Sequence, residues 1–337
     1  ADLRKTSPLA APAADDLNYA GNVTRWIRFG NTLKLRLYLH IANAPGADLA
    51  AIRSFVSSTP ATEFMTASSD DFVMQYQTTA NRQNPRHQYI ISRTDDICTS
   101  STIINLMNEK ADPRRPFYFT PAPFSPANVA TPPTGKTGYV GLRNGTSNGG
   151  LTNNLSRLHT YVRGAMTTTA LPAGPTLRVG DLAYNGNAPV RMFTFAEYNF
   201  IRAELALRYG VAGDADKFFR DGITASLNTV GVSAANATAY LNSVGPLGTG
   251  DAALKKLIEE KYVGNFMIPI EPWNDWRRTG YPLLQLLPAN VNPGNGGKVP
   301  RSLPYPQQET DANPNMKARQ NLNENPVFWD TRTTGQQ

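Results

Sequence analysis

Apolar residues recur at helical spacing in two blocks of the chain and lose that rhythm between and after them. The first block runs from about residue 22 to 43. Trp26, Phe29, Leu33 and Leu37 repeat in steps of three and four, with Ile27, Tyr38 and Ile41 widening the stripe. That spacing predicts a helix with the stripe packed inward. Asn22 or Thr24 supplies its cap. Arg25, Arg28 and Arg36 fall on another side, as a solvated or salt-bridged face would. A shorter helix is predicted over 48–58 (Leu49, Ile52, Phe55, Val56), stopped before Pro60, and another over 99–110 around Ile103, Ile104 and Met107.

The second block opens at Phe193. Over 195–210, Ala196, Phe200, Ala203 and Leu207 form one stripe, and Tyr198, Ile201, Leu205 and Tyr209 another. A helix apolar on two sides is packed between neighbours. Gly210 stops it. Asp214 caps a helix to about residue 230 (Phe218, Phe219, Ile223, Leu227), Ser233 opens a third (Ala237, Tyr240, Leu241, Val244) and Asp251 a fourth (Leu254, Leu257, Ile258, Tyr262). Consecutive antiparallel pairs of this kind predict an all-α-dominated scaffold built like a helical-repeat array, although no consensus at the ~34-residue tetratricopeptide period is present.

The densest cluster of large and charged side chains lies at 270–282. Pro272 suits a first helical position, and Gly280 a left-handed stop followed by Pro282. Glu271 and Asp275 sit near the positive end of the helix dipole, and Arg277 and Arg278 near the negative end. Trp273 and Trp276 share a face. This helix reads as a packing anchor, with its arginines holding carboxylates or carbonyls. The competing reading is a platform on which sugars or nucleobases stack.

Other stretches have no sustained period. Residues 1–21 read as a surface segment. Residues 70–94 mix Phe72, Tyr76 and Tyr89 with Asn81, Arg82, Gln83, Asn84 and Arg86. Residues 111–150 carry seven prolines from Pro113 to Pro133 and then six glycines, with Phe117, Tyr118, Phe119, Phe124 and Tyr139 strung through them. A loop excursion of that length in a compact protein is usually functional. A second proline-rich stretch spans 282–314, and 315–324 (Met316, Arg319, Leu322) predict a last helical turn.

Composition narrows the function. With 337 residues and 40% apolar content the chain builds a real core. The net charge of +7 permits anionic partners, but no run of five basic residues occurs, so no nucleic-acid tract is expected. No stretch approaches ~18 continuous apolar residues, so no membrane-spanning helix is expected. Cys98 is the only cysteine, and His40, His87 and His159 are far apart, so neither an internal disulfide nor a zinc cluster is expected, and no cofactor.

The ordered motifs carry a resemblance. The segment Glu271-Pro272-Trp273-Asn274-Asp275-Trp276-Arg277-Arg278-Thr279-Gly280-Tyr281-Pro282 resembles the E-x-W-N-D-W-R-R-T-G-Y-P motif of SusD-like (SusD/RagB) proteins. The segment from Trp26 to Arg36 resembles the family's W-x-K-F-A-N-S-L-K-L-R helix, and the segment from Phe195 to Glu204 its A-E-x-x-F-I-x-A-E helix. The segment from Pro300 to Pro306 resembles its closing I-P-R-R-L-P-Y-P, and that from Pro326 to Asp330 its terminal V-W-W-D. The resemblance spans about residues 17–330. It makes Trp26, Glu204, Trp273, Asp275, Trp276, Arg277 and Arg278 structural landmarks. It implies a tetratricopeptide-like scaffold whose loop excursions build a ligand site. Its members are outer-membrane, cell-surface, lipid-anchored nutrient-binding proteins of Bacteroidota. Each acts without chemistry as the lid of a SusC-like TonB-dependent transporter barrel. The lipidated cysteine and first helices of the family are not matched; residue 1 is not expected to be the natural start, and the chain resembles the C-terminal two-thirds of a member.

On that basis the chain is expected to be one SusD-like domain: a surface segment (1–21), helices with a polar and aromatic segment (22–110), the excursion (111–192), helical repeats with the tryptophan helix (193–281) and a proline-rich end (282–337). Sugars offer C–H faces to aromatic rings and hydroxyls to amides and guanidinium groups. Tyr76, Asn81, Arg82, Tyr89, Phe117, Tyr118, Tyr139, Arg143 and Asn144 supply that mix and are the candidate contacts to a glycan or oligopeptide. Their alternative role is to pack the loops onto the helices. A structural subunit with no ligand of its own is a second reading. A glycosidase, with acids drawn from Asp95, Asp96 and Glu109, is a third, weakened by the lack of any hydrolase motif.

Overall fold

The computed structural model describes residues 2–5, 12–93, 96–146, 153–168, 182–284, 298–316 and 326–332. Among these, helices dominate, and none is long and apolar enough to cross a membrane. The first block gives α1 (Val23–Ile41) and α2 (Leu49–Ser58), capped by the side chains of Asn22 and Asp48. The polar and aromatic segment contains α3 (Pro85–Ser92), capped by Asn84; α4 (Ser101–Glu109) follows, capped by Ser100. The excursion is not all loop. It holds three short helices, α5 (Arg115–Tyr118), α6 (Pro126–Ala130) and α7 (Thr160–Arg163). Four residues or so make too little of a turn pattern to show a period, and α3 hides because five of its eight residues are polar or proline.

The second block forms α8 (Phe195–Tyr209), α9 (Ala215–Val230), α10 (Ala234–Val244), α11 (Gly250–Gly264) and α12 (Glu271–Thr279). Thr194, Asp214 and Ser233 cap the first three, and Gly210 ends α8 in the left-handed conformation. Asp251 lies inside the first turn of α11 rather than at its cap. A short α13 (Gln307–Ala312) occupies the proline-rich end. The helical turn expected over 315–324 falls almost wholly outside the described residues.

Two strands, β1 (Phe72–Met74) and β2 (Val190–Phe193), pair antiparallel with Phe72 opposite Phe193 and Met74 opposite Val190. Strands this short carry no readable alternation, and their pairing joins segments far apart in the chain.

α8 is the central element. Phe200 and Ala203 pack with Phe219, Ile223, Leu257 and Ile258, while Ile201 and Leu205 on its other side pack with Leu35, Leu39, Ile52 and Phe64. The two stripes read from its sequence are these two faces. For α1 the stripe was displaced. Thr32, Leu35 and Leu39 are its buried positions, and Leu37 is 55% exposed. Apolar residues surround this helix, so spacing alone does not choose the inward side; contact with α8 does. A third cluster, including Ile104, Met107, Tyr118, Phe119, Tyr139 and Val263, presses the excursion onto α4 and α11.

The tryptophan helix α12 is where the helices lock together. Arg278 is fully buried and holds Glu204 of α8 through two bonds of 2.8 and 2.9 Å and Asp275 at 2.6 Å. Lys261 of α11 reaches Asp275 at 2.9 Å. Glu271 accepts from His40 of α1 at 2.9 Å, and Arg36, one turn earlier, grips Glu197 of α8. Burial pushes the Glu271 carboxyl up, but the His40 bond and the Arg36 charge more than offset it and hold it at about 2. Glu204, although buried, is likewise held below the usual carboxylate range by Arg278 and Arg208.

The anchor reading of α12 is what the contacts show. Trp276 is buried under Arg332, 4.2 Å from its ring, and Arg277 stacks 3.6 Å from Trp273 and 4.5 Å from Trp329. The Trp273 N–H donates to the Pro300 carbonyl at 2.9 Å, and Arg301 holds Asp330 through two 2.7 Å bonds. The helix starts at Glu271, which puts Pro272 one position later than its sequence suggests.

Removing one partner of a buried ion pair strands the other charge. Arg278→Met is expected to cost about 3–5 kcal/mol in urea unfolding. Glu204→Met combined with Arg278→Met is expected to recover part of that loss, and a single-variant cost below about 1 kcal/mol, the value of an exposed pair, would contradict the network.

Candidate functional site

Two recesses lie where the excursion meets the helices, and two glycines permit the local backbone. At Gly164 (φ +83°) a Cβ would come within 2.1 Å of the Asn185 side-chain oxygen, and at Gly186 (φ +75°) within 2.6 Å of the His87 ring. Without side chains there, the 185–188 segment lies against α7 and α3. Asn84 fixes it further, donating from its side-chain amide to the Ala188 carbonyl at 2.8 Å and from its backbone to Gly186 at 2.8 Å.

The first recess, about 370 Å³, is polar. Gln75 enters it from the end of β1, Phe117 from α5, Thr160 and Tyr161 from α7, and Asn187 and Arg191 from the segment leading through β2. The β1–β2 pairing sets Val73 opposite Arg191 and so brings Gln75 beside the 187–189 segment. Arg191 lies 4.1 Å from the centre of the Tyr161 ring and reaches the Tyr161 carbonyl at 3.5 Å. The side-chain amides of Gln75 and Asn187 make no hydrogen bond to a described residue. Nearby, burial pushes the Asp71 carboxyl up to about 7 against the Phe195 N–H bond and the Arg191 charge.

The second recess, about 350 Å³, is apolar. Ile97, Ile103, Phe119, Leu158, Tyr262 and Phe266 form its walls, with Arg86 and Tyr89 at the edge. A third void of only about 10 Å³ shares Arg86, Phe266 and Met267 with the apolar recess and Tyr161, Pro189 and Arg191 with the polar one.

The candidate residues scatter across this geometry. Phe117 lines the polar recess and Tyr89 the apolar one. Tyr118 is buried and donates to the Val263 carbonyl at 3.2 Å. Tyr139 is 2% exposed under Arg115, and burial pushes its hydroxyl up to about 12. Both therefore pack the excursion onto the helices. Asn81 (φ +64°) and Arg82 form an exposed turn closed by the Gln77 N–H to Arg82 carbonyl bond of 2.9 Å. Tyr76 is half-buried just beyond β1; Asn144 accepts from Ser100 at 2.6 Å, and Arg143 lies beside it. The structure does not bring these nine together. Gln75, Tyr161, Asn187, Arg191 and Arg86 line the recesses and were not among them. Arg86 stood in the polar and aromatic stretch over 70–94 and Tyr161 in the excursion over 111–192, but Gln75 and Asn187 carried no local signal, because only the strand pairing joins them.

Of the acids weighed for hydrolysis, Glu109 is exposed on α4, Asp96 is exposed and bonded to Tyr89, and Asp95 lies outside the described residues. No Asp or Glu lines either recess among the described residues. No group of three or more metal-ligating side chains is found among them either.

The fold is thus a helical scaffold with a recess of aromatic and amide walls at its loop excursion. The chain belongs to the SusD-like family described as starch-binding and associating with the outer membrane, whose profile matches residues 3–306. Similar solved structures include a chitin-binding protein (24% identity, TM-score 0.72, covering 94% of this chain and 67% of that one). A chitin-binding SusD homologue from Flavobacterium johnsoniae aligns at 23% identity and TM-score 0.71, over 98% and 68% of the two chains. A SusD homologue from Bacteroides fragilis aligns at 22% and 0.70, over 88% and 63%. The chain thus spans about two-thirds of the length of these structures. No curated protein matches it.

His159 tests the packing of this region. Burial, with the Arg163 charge, pushes its imidazole down to about 4, and its ring bonds Tyr184 at 2.6 Å. It is expected to titrate near pH 4 by NMR while the fold persists; a midpoint near the unperturbed ~6.5 would show that the ring is solvated.

Proposed function

We propose that the chain is a non-catalytic cell-surface glycan-binding protein that acts as the lid of a TonB-dependent transporter barrel, and that the polar recess is its sugar site. One observation carries the site: Gln75 and Asn187, whose side-chain amides make no hydrogen bond to a described residue, stand beside Arg191, Tyr161 and Phe117 in one recess of about 370 Å³. The aromatic groups offer apolar surface to a sugar's C–H face, and the amides and guanidinium offer directional partners to its hydroxyls. A volume of this size suits one or two sugar units, at the small end of the ~300–1,000 Å³ range of ligand sites. Family membership and two chitin-binding relatives support a carbohydrate ligand over an oligopeptide. The absence of acids from both recess walls, among the described residues, weighs against a glycosidase, which needs two across a cleft. The same architecture favours the expected single domain, its excursion held to the helices by buried contacts.

Calorimetry against starch and chitin oligosaccharides is expected to find a ligand. Gln75→Ala with Asn187→Ala is expected to weaken it about tenfold or more, the sum of two lost hydrogen bonds. Failure of the whole panel, or an affinity unmoved by the double variant, would remove this site. For the lid role, the protein isolated from intact outer membranes is expected to bring a large β-barrel with it. Recovery as a monomer would count against that role, and a barrel partner without any glycan ligand would favour a purely structural subunit.

A further inference from the structure

The apolar recess contains one group that its surroundings do not explain. Several of the described buried arginines hold oxygen partners. Arg36, Arg114, Arg278 and Arg301 hold carboxylates, and Arg115 and Arg202 hold carbonyl or side-chain oxygens. Arg86 is different. It is half-buried at the edge of an apolar chamber, its guanidinium makes no hydrogen bond to a described residue, and no described carboxylate is within ion-pair reach. Among the described residues, only the phenol groups of Tyr161 and Tyr76 lie close enough to favour its charge, and burial pulls its pKa below the usual arginine value. A cation partly stripped of water in apolar surroundings gains a charge-assisted hydrogen bond when an anion arrives.

The chamber itself specifies the rest of the ligand. Its walls are aliphatic and aromatic, with Ile97, Ile103, Phe119, Leu158, Tyr262 and Phe266 enclosing about 350 Å³. A bare sugar would leave most of its hydroxyls unsatisfied there, which disfavours it. The void that shares walls with both recesses holds about 10 Å³, room for roughly one water, so the two recesses take separate ligands or separate parts of one.

We propose that this chamber is a second binding site, for a compact aromatic or short-chain carboxylic acid, with the ring or chain against Phe119 and Phe266 and the carboxylate on Arg86. The site is independent of the glycan reading and survives its failure.

Cys98, the only cysteine in the chain, also lines the chamber and reports occupancy. Phenylacetate is expected to slow alkylation of Cys98 by iodoacetamide, saturating with concentration. Phenylacetamide, the same shape without charge, is expected to protect with at least about tenfold weaker affinity, the value of a charge-assisted bond. Arg86→Gln, which removes a guanidinium that makes no hydrogen bond to a described residue, is expected to leave the melting temperature in place and to abolish the preference of acid over amide. Equal protection by acid and amide, an acid preference that persists in Arg86→Gln, or no protection by either at millimolar concentration would each overturn the assignment.

Discussion

The structure depends on charges buried where they cannot be left alone. Glu204, Arg278, Asp275 and Lys261 come from α8, α12 and α11, and Glu271 with His40 adds α1. Burying any one of these unpaired would cost several kcal/mol, against a total stability of ~5–15 kcal/mol for a typical domain. The four helices must therefore dock in one arrangement or not at all. Hydrophobic burial supplies most of the driving force around α8, but it tolerates sliding and rotation. Bidentate contacts such as Arg278 on Glu204 do not.

A second buried network does the same for the excursion. Arg114 is fully buried and holds Asp112 at 2.5 Å and Glu260 of α11 at 2.8 Å, while Tyr240 of α10 donates to Glu260 at 2.9 Å. Burial pushes Glu260 up, but Lys110 and Arg114 hold it at about 2. Arg115 extends the clamp to the carbonyls of Thr134 and Gly135. The excursion is thus tied down at residues 112–119, and Phe117, within that tied stretch, becomes a wall of the polar recess. Its position is a consequence of the helical scaffold even though the recess opens among loops.

The two recesses differ in chemistry. One presents amides and a guanidinium beside aromatic surface, the other an apolar chamber with a single cation at its edge. Several aromatics that stood out in the excursion, Tyr118 and Tyr139 above all, are instead the anchors that order the loop. An aromatic residue is needed in equal measure for ordering a loop and for stacking a ligand, and its sequence does not distinguish the two uses.

The sequence by itself determined the scaffold and the family. Caps at Asn22, Asp214 and Ser233, the stop at Gly210 and the two-sided stripe of α8 are local, and local physics suffices to place a helix. The ordered motifs from Trp26 to Asp330 identified the class for the same reason: α12 must carry its charges and indoles together to do its packing work. What only the tertiary structure decided is which side of α1 faces inward, where β1 and β2 meet, and which residues line a recess. Gln75 and Asn187 are more than a hundred positions apart. They become neighbours through strand pairing and through two glycines that let backbones approach, and no pattern within either segment records that meeting.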